Sequence, residues 1–506
     1  MKLNKLKSLS LLGLILLAMS AVAVVNAKEQ SMDEMWGNEP IASTEVSEKL
    51  QWFVDDNYSM FIHWGLYSSM EGVWKGKTHY GIGEWIMHMA KIPVDEYKAH
   101  AKNFNPDKFD ATAIVKLAKD AGMRCIVITA KHHEGFAMFD SKASDFTITK
   151  ATPFGRDPMK ELAEACKKEG IRLGFYYSQN QDWTEPNGGN YKGTRPEGYK
   201  PEDFEIYFNE KVVPQVTELL TNYGDIGVVW FDTPGNMDKK YSAALVDLVN
   251  KYQPDCLINS RIGNGFGDYS SLGDMHIPLT QNAGPWETVD TTNDSWAYAW
   301  YDEHWKSAKK IASNVVEVVA RGGTYMLNVG PRGDGSIPQD AVDNLTDAGT
   351  WIKANAEAIY GADASPFSGF SWGDCTVKGN NLYLHVFDWP KSGKLIIPNL
   401  KHKVKSASLL CCGVNIDVLQ SEKGIELLCP SLNSKNMIPV IKLELSGKPE
   451  AVSSALFVDG QYPTKLEAVF SKVEGCAHKV VKWMEKFGEW KHSDNVGDWK
   501  KSTDLA

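Results

Sequence analysis

Short apolar runs that end in polar residues recur along the first two thirds of the chain. Six are clear, at residues 60–63, 125–133, 173–178, 225–232, 256–261 and 325–328. Between them, residues 111–121, 158–168, 204–222, 242–251 and 304–320 carry apolar residues at helical spacing. Strands that alternate with helices are typical of parallel strands joined by helical crossovers. The pattern therefore predicts an α/β fold up to about residue 330.

The residues at the ends of these runs separate two α/β architectures. A doubly wound sheet would show the same alternation, but no glycine-rich phosphate loop follows the first run. Almost every run instead ends in His, Tyr, Trp, Asp, Asn or Arg, as expected where strand ends converge on the catalytic face of a barrel. We predict a (β/α)8-like, TIM-type barrel, with room for irregularity because fewer than eight strands are legible.

The pattern changes near Tyr360. Short apolar strands separated by turn residues follow at 382–389, 394–397, 404–410, 416–419, 425–429 and 440–445, without a helical stretch. This predicts a C-terminal antiparallel β-sandwich. The expected domains are a barrel over 28–362 and a sandwich over 363–448, and residues 449–506 stay unassigned. For that extension, a helix over 468–486 and an aromatic-rich β piece around Trp483, Trp490 and Trp499 remain alternatives.

The N-terminus has the organisation of a secretory signal peptide. Three lysines within the first seven residues precede an apolar stretch, residues 9–25, and Val25-Asn26-Ala27 offers a small-residue cleavage site. The apolar stretch contains no cysteine, which argues against a lipid anchor. We expect residues 1–27 to be removed and the protein to be secreted or periplasmic, without membrane insertion.

Charge and cysteine content narrow the range of ligands. The formal net charge of −10 disfavours nucleic acid, which requires clustered Lys and Arg, and favours a neutral ligand. Eight cysteines are spread over 506 residues, without the spacing of a disulfide framework or a zinc site. One bridge among Cys411, Cys412 and Cys429 is left open.

Asp232 is the first candidate for chemistry. It closes the run 225–232 and is followed at once by Thr233-Pro234-Gly235. A buried parallel strand would thus deliver a carboxylate to the catalytic face of a barrel, with Trp230 on the same pleat face. The alternative is an aspartate that only caps the next helix.

Sugar hydrolysis usually needs a second carboxyl group. Glu287 is the leading candidate for the acid/base, in a predicted loop between Arg261 and the helix that starts near His304. Its neighbour Trp286 can shield it from water, and shielding raises the proton affinity of a carboxylate. Asp274 occupies a similar loop and is the rival.

Imidazoles and indoles complete the candidate pocket. His132 and His133 follow a strand, where both can reach one pocket only if the chain is already turning. No third ligand at suitable spacing supports a metal site. His63-Trp64 and Glu84-Trp85 each pair a polar group with an indole, a combination that suits a sugar, although each pair alone is more often core packing.

With these residues in view, the chain resembles an α-L-fucosidase of glycoside hydrolase family 29. The resemblance spans residues 50 to about 445. Its matching stretches are Phe61-Ile62-His63-Trp64-Gly65, Glu84-Trp85, Ala130-Lys131-His132-His133-Glu134-Gly135-Phe136, Gly174-Phe175-Tyr176-Tyr177-Ser178, Trp230-Phe231-Asp232, Asn259-Ser260-Arg261 and Gly322 to Pro331.

The resemblance implies a retaining mechanism with Asp232 as the nucleophile that forms a covalent glycosyl-enzyme. It implies fucose binding by His63, Glu84, Trp85, His132, His133, Tyr176, Trp230 and Arg261, with Trp296 near the sugar's methyl group. The acid/base position is not fixed across the family, because Glu287 resembles the acid of one subgroup and Asp274 falls nearer that of another. No metal or organic cofactor is implied.

The expected substrate is a terminal α-L-fucosyl residue on an oligosaccharide or glycoconjugate. Two alternatives are action on algal fucan-type fucosides, which the acidic charge disfavours, and an inactive fucose-binding protein. Linkage preference and oligomeric state are left open.

Overall fold

The computed structural model describes residues 43, 45–189, 203–422, 424–432, 437–452 and 460–463, together with two strands at 477–480 and 494–497. The predicted signal peptide, residues 1–27, and the three tryptophans of the tail lie outside the described residues.

Eight parallel strands form the central sheet, in the order β7-β6-β5-β4-β1-β10-β9-β8. Their bounds, with the small hairpin β2-β3, are β1 Tyr58–Ile62, β2 Val73–Trp74, β3 Lys77–Thr78, β4 Cys125–Lys131, β5 Arg172–Tyr177, β6 Ile226–Phe231, β7 Leu257–Ile258, β8 Ser270–Ser271, β9 Trp286–Thr291 and β10 Thr324–Val329. The two edge strands, β7 and β8, meet through one isolated parallel bridge between Asn259 and Tyr269. The sheet thus curls into the barrel that the sequence predicted.

Each of the five segments with helical periodicity contains a helix, and the structure has further helices outside them. Their bounds are Gln51–Asp56, Ile86–Met89, Val94–His100, Ala111–Asp120, Ile148–Ala151, Pro158–Glu169, Asp203–Tyr207, Val213–Asn222, Lys239–Tyr252, Ala308–Val319 and Gln339–Ala354. The predicted helix 204–222 contains a π-helical turn, Phe208–Val212, which ends two residues before Pro214, a residue without a backbone N–H to donate. The predicted helix 304–320 begins only at Ala308, because the Ser307 side chain caps it.

Two barrel strands were missed in the sequence. Strand β8 consists of two serines, and β9, with the sequence Trp-Glu-Thr-Val-Asp-Thr, has no apolar run although all six residues are buried. Glu287 therefore lies in strand β9, and its prediction as a loop residue was wrong. Strands inside a small barrel can carry polar residues on the inner face where those residues serve a site.

The barrel interior is a packed core rather than a channel. Phe61, Val127, Trp230, Val289 and Met326 meet inside it, at most 2% exposed. A second, larger core lies between the strands and the surrounding helices. The side chains at the carboxyl ends of the strands therefore lie directly above a well-packed core, which restricts their movement.

Two antiparallel sheets follow the barrel, in the orders β11-β12-β17-β14 and β13-β16-β15. Their strands are β11 Gly373–Lys378, β12 Asn381–Val386, β13 Lys394–Ile397, β14 Val404–Leu409, β15 Asp417–Ser421, β16 Gly424–Leu428 and β17 Val440–Leu445. Leu384, Ile397, Leu427 and Leu443 pack together between the sheets, which confirms the predicted sandwich. The exact domain limits at 362 and 448 stay predictions.

Strands β18, Ala477–Val480, and β19, Asp494–Gly497, pair antiparallel in the C-terminal extension. This favours the β alternative for that stretch. Cys411, Cys412 and Cys429 are free thiols, as are the other cysteines within the described residues. Within the same residues, no helix combines the length and apolar character needed to cross a membrane.

Candidate active site

Asp232 directly follows β6, at the carboxyl end of the barrel. The next residue, Thr233, has φ of 47°, a left-handed conformation that is costly for a β-branched side chain and bends the chain sharply. The Asp232 backbone N–H donates to Gln179 Oε1 at 2.9 Å. The helix that follows is capped by Asp238, not by Asp232. The Asp232 carboxylate is therefore not used as a helix cap, and it can take part in the pocket.

Both oxygens of the Asp232 carboxylate have partners. Tyr176 donates its hydroxyl to Oδ2 at 2.9 Å, and Arg261 Nη1 donates to Oδ1 at 3.1 Å. His133 Nε2 lies 3.7 Å from Oδ2. These contacts fix the plane of the Asp232 carboxylate, and the residue is only 7% exposed.

Arg261 joins Asp232 to the rival acid. Its Nη2 donates to Asp274 Oδ1 at 2.5 Å and to the Leu272 carbonyl at 2.8 Å, and its guanidinium lies 4.9 Å from the centre of the Trp230 ring. One guanidinium can bridge carboxylates only a few ångströms apart. Arg261 therefore holds Asp232 and Asp274 close to each other in the site.

The two acid/base candidates differ in access and in proton affinity. The Asp274 side chain is 10% exposed, equal to that of Asp232. Glu287 is fully buried, and its Oε1 accepts a hydrogen bond from Trp230 Nε1 at 2.5 Å. Burial raises the pKa of Glu287 to about 7. Burial also raises the pKa of Asp274, although Arg261 opposes that shift.

His63 is held at the end of β1 by an amide from β10. Asn328 Oδ1 accepts from the His63 backbone N–H at 3.0 Å and lies 2.8 Å from Nδ1. Asn328 Nδ2 donates to the Trp296 carbonyl at 2.7 Å, which orients the amide. His63 Nδ1 therefore carries the proton, and Nε2 is left as an acceptor. The Trp296 ring lies against His63, with ring centres 5.0 Å apart.

His133 is oriented in the same way. The Ser178 hydroxyl donates to the Gln181 carbonyl at 3.0 Å, so Ser178 Oγ accepts from His133 Nδ1–H at 2.7 Å. Burial lowers the pKa of both His63 and His133 to about 3. Both imidazoles are therefore neutral at ordinary pH and can accept from sugar hydroxyls through Nε2.

His132 and His133 both lie beyond the last residue of β4, where the alternation of faces no longer applies. Their ring centres are 4.1 Å apart, and His132 stacks on Tyr176 with centres 5.2 Å apart and planes 12° apart. His132 Nδ1 faces Glu134 Oε2 at 3.7 Å. Burial raises the pKa of Glu134 to about 8, so this acid is mainly protonated at neutral pH.

Glu84 and Trp85 lie on a short 3-10 helix, Gly83–Trp85, in the segment after β1. Glu84 Oε2 accepts from the Ala297 backbone N–H at 3.0 Å, and burial raises the pKa of Glu84 to about 8. The Trp85 ring lies 5.6 Å from that of His133 and 5.1 Å from that of Trp183. A buried acid and an indole thus form one side of the site.

These contacts connect all the sugar-binding residues suggested by the family resemblance, either directly or through one intervening group. Their roles in binding stay predictions, as do those of Asp232 and Glu287. Sequence reasoning missed the residues that hold them in place: Ser178, Gln179, Trp183, Glu134 and Asn328. Ser178 and Gln179 directly follow β5, so the rule that strand ends carry function could have found them. Glu134 and Asn328 lie inside two of the stretches that match the family, but the resemblance suggested no role for either residue.

A carboxylate nucleophile candidate, a second acid bridged to it and a lining of indoles and imidazoles thus share the carboxyl face of one barrel. This combination defines a glycoside hydrolase.

Comparison with known proteins narrows the class. The family model described as α-L-fucosidase matches residues 23–357. An α-L-fucosidase structure from Vibrio sp. strain EJY3 is 36% identical, with a TM-score of 0.76 over 81% of this chain and 75% of that chain. A trapped covalent intermediate of a family 29 α-L-fucosidase from Bacteroides thetaiotaomicron is 29% identical, with a TM-score of 0.74 over 81% of this chain and 99% of that one.

By sequence, an α-L-fucosidase of Dictyostelium discoideum is 26% identical over 416 residues, which cover 76% of this chain and 86% of that protein. The chain belongs to the α-L-fucosidase family, glycoside hydrolase family 29.

Proposed function

We propose that this protein is a retaining exo-α-L-fucosidase that removes terminal α-L-fucosyl residues from glycans through an ester on Asp232. The observation that carries the proposal is the Asp232 carboxylate itself. Both of its oxygens are held by hydrogen bonds, and Arg261 joins it to a second acid. The Bacteroides relative, whose structure is described as a trapped covalent intermediate, supports the same course for this chain.

The first step forms the glycosyl-enzyme. An Asp232 oxygen attacks C1 of fucose as the bond from C1 to the leaving oxygen breaks, and the acid/base donates a proton to that oxygen. Arg261 and Tyr176 hold the attacking carboxylate before and after it loses its charge. In the second step the acid/base, now deprotonated, takes a proton from water, which attacks C1 and releases Asp232 as a carboxylate.

We assign the acid/base role to Asp274 and keep Glu287 as the alternative. A general acid must come within hydrogen-bond reach of the leaving oxygen, and this geometric condition comes before any match in pKa. Asp274 is exposed to the same degree as Asp232, whereas Glu287 is fully buried and bonded to Trp230. The pKa of about 7 would suit Glu287 as an acid, but the same burial that raises it also separates the group from the substrate.

The polar and aromatic lining of the pocket fits fucose. His63 and His133 can each accept a hydroxyl proton through Nε2, and Glu84 lies where a third hydroxyl can be bound. Trp296, packed on His63, offers an apolar surface for the methyl group of a 6-deoxy sugar. Because burial lowers the pKa of both histidines to about 3, each Nε2 is unprotonated near neutral pH and can accept a hydroxyl proton.

The test is the Asp232→Gly variant with azide. The wild type should release fucose from an α-L-fucosyl fluoride or aryl fucoside, and the variant should lose turnover by about 10⁴-fold or more. Azide should then attack C1 in place of Asp232 and give the inverted β-fucosyl azide. Asp238→Gly, which removes an exposed helix cap outside the pocket, is the matched control and should stay active. Wild-type protein that binds fucose without hydrolysing either substrate would be a binding protein and would refute the proposal.

A further inference from the structure

Three aromatic side chains form a surface cluster on the barrel, which we term the aromatic shelf: Tyr80, Trp300 and Tyr301. Tyr80 is 63% exposed and Trp300 is 50% exposed. Both rings meet that of Tyr301, at 5.0 Å and 5.8 Å between ring centres. Large aromatic rings grouped at a surface are a common mark of a binding site.

The shelf is built rigidly. The Tyr301 hydroxyl donates to the carbonyls of His79 and Gly81, at 2.8 and 3.1 Å, so it ties its own segment to the one that carries Tyr80. The Trp300 backbone N–H donates to the Glu71 carbonyl at 3.2 Å. The Tyr301 ring also packs over Gly72, where a Cβ atom would come within 2.6 Å of it. Rings that are fixed before binding lose little conformational entropy when a ligand stacks on them.

The shelf is continuous with the candidate sugar pocket. Tyr80 lies four residues before Glu84, and Trp300 lies four residues after Trp296. The two segments follow β1 and β9, so both run over the carboxyl face of the barrel. They are joined at the pocket itself, because the Gly83 backbone N–H donates to Ser295 Oγ at 2.9 Å and the Ala297 N–H to Glu84 at 3.0 Å.

We propose that the aromatic shelf is a leaving-group subsite that stacks the neutral sugar ring to which fucose is attached. This rests on the proposed function, since only a fucoside has its fucosyl unit in the pocket and its next sugar outside. The C–H face of a pyranose packs on indole and phenol rings, while the sugar hydroxyls stay in water. A second copy of the chain is a poorer occupant, because three partly exposed rings offer far less than about 800 Å² per partner of a stable interface.

The experiment compares substrates with and without a second sugar. The probes are α-L-fucosyl fluoride, which has no leaving-group ring, and the neutral fucosyl-oligosaccharide that the wild type cleaves best in a panel differing only in linkage. Trp300→Ala and Tyr80→Ala should each lower kcat/KM on the oligosaccharide about 3- to 10-fold and change it less than about 2-fold on the fluoride. Tyr252→Ala removes another exposed tyrosine, 39% exposed on the helix Lys239–Tyr252, and should change neither.

Two results would overturn the subsite. The first is a kcat/KM on the oligosaccharide that stays at the wild-type value in both Trp300→Ala and Tyr80→Ala. If these variants also still hydrolyse the fluoride, the proposed fucosidase function would stand and only the subsite would be refuted. The second is a lower molar mass of Trp300→Ala than of the wild type in light scattering, which would make the shelf an interface between copies. A wild type that cleaves neither probe would instead refute the proposed function on which the subsite rests.

Discussion

Exchanging each candidate acid for its amide separates the roles of Asp274 and Glu287. Asp274→Asn and Glu287→Gln keep side-chain size and remove only the exchangeable proton. Glu287→Gln can still accept the Trp230 N–H through its amide oxygen, and an acid with a pKa of about 7 is already partly neutral at pH 7. We therefore expect this variant to keep kcat/KM within about threefold on all substrates.

Asp274→Asn should behave differently. A general acid contributes about 10² to 10⁴ in rate, which corresponds to about 3–5 kcal/mol of barrier. That loss should appear on glycans, whose leaving oxygen needs a proton, and should shrink to about tenfold or less on fucosyl fluoride or an activated aryl fucoside. Arg261 keeps Asp232 as a partner, so the variant should lose only about 1–3 kcal/mol of stability for the weakened hydrogen bond.

The assay is kcat/KM on the two substrate types, with azide added to each variant. In an acid/base variant, azide attacks the fucosyl ester of Asp232 and gives the retained α-fucosyl azide, whereas loss of the nucleophile gives the β-azide. The reasoning fails if Asp274→Asn cleaves glycans at the wild-type rate while Glu287→Gln loses them. Glu287 would then be the acid/base. The Trp230 side chain would have to move away from Glu287 during the reaction, so that this acid could reach the leaving oxygen.

Three further predictions concern other parts of the molecule. The unfolded chain ionises Glu134 above about pH 4.3, whereas the native state keeps the proton up to the folded pKa of about 8, so the stability of the wild type falls as pH rises through this window. Glu134→Gln cannot ionise and should therefore gain up to about 4 kcal/mol relative to the wild type between about pH 5 and 8 in urea unfolding; a difference independent of pH would contradict this. Gly330→Ala would place a Cβ 2.7 Å from the Trp296 carbonyl oxygen, so KM for fucosyl fluoride should rise about fivefold or more, while Gly460→Ala, with no atom within 4 Å, should be neutral. We also propose export, so N-terminal sequencing of secreted or periplasmic protein should begin at Lys28; a retained Met1 would contradict cleavage.

The sequence predicted the fold well where one rule governed the residues. Buried strands β4, β5 and β6 appear as apolar runs because both of their faces are covered, and the helices around them keep one apolar face. Strand β9 escaped because its buried residues include Glu287 and Asp290, whose partners are supplied by distant segments: Trp230 for the first, and Tyr325 for the second. A polar residue that is satisfied across the barrel leaves no local signal.

The sequence predicted the main candidate residues of the site, but it did not predict the residues that orient them. Asp232 and the His132-His133 pair stand at strand ends, where composition already suggests function. The choice of Asn328 to orient His63, or of Ser178 to orient His133, depends on distances between separate strands. The relative access of Asp274 and Glu287 depends on the packing of Trp230, which no local pattern reveals.

The place where the barrel closes has a mechanical consequence. Strands β7 and β8 are two residues long and meet at one bridge, between Asn259 and Tyr269, whereas the other neighbours share longer ladders. Arg261 lies just after β7, and Asp274 lies just after β8. A small separation of these two strands would therefore break the hydrogen bond through which Arg261 links Asp232 to Asp274, and would leave the other strand pairs of the barrel intact. On warming, catalysis should therefore fade before the bulk of the secondary structure melts.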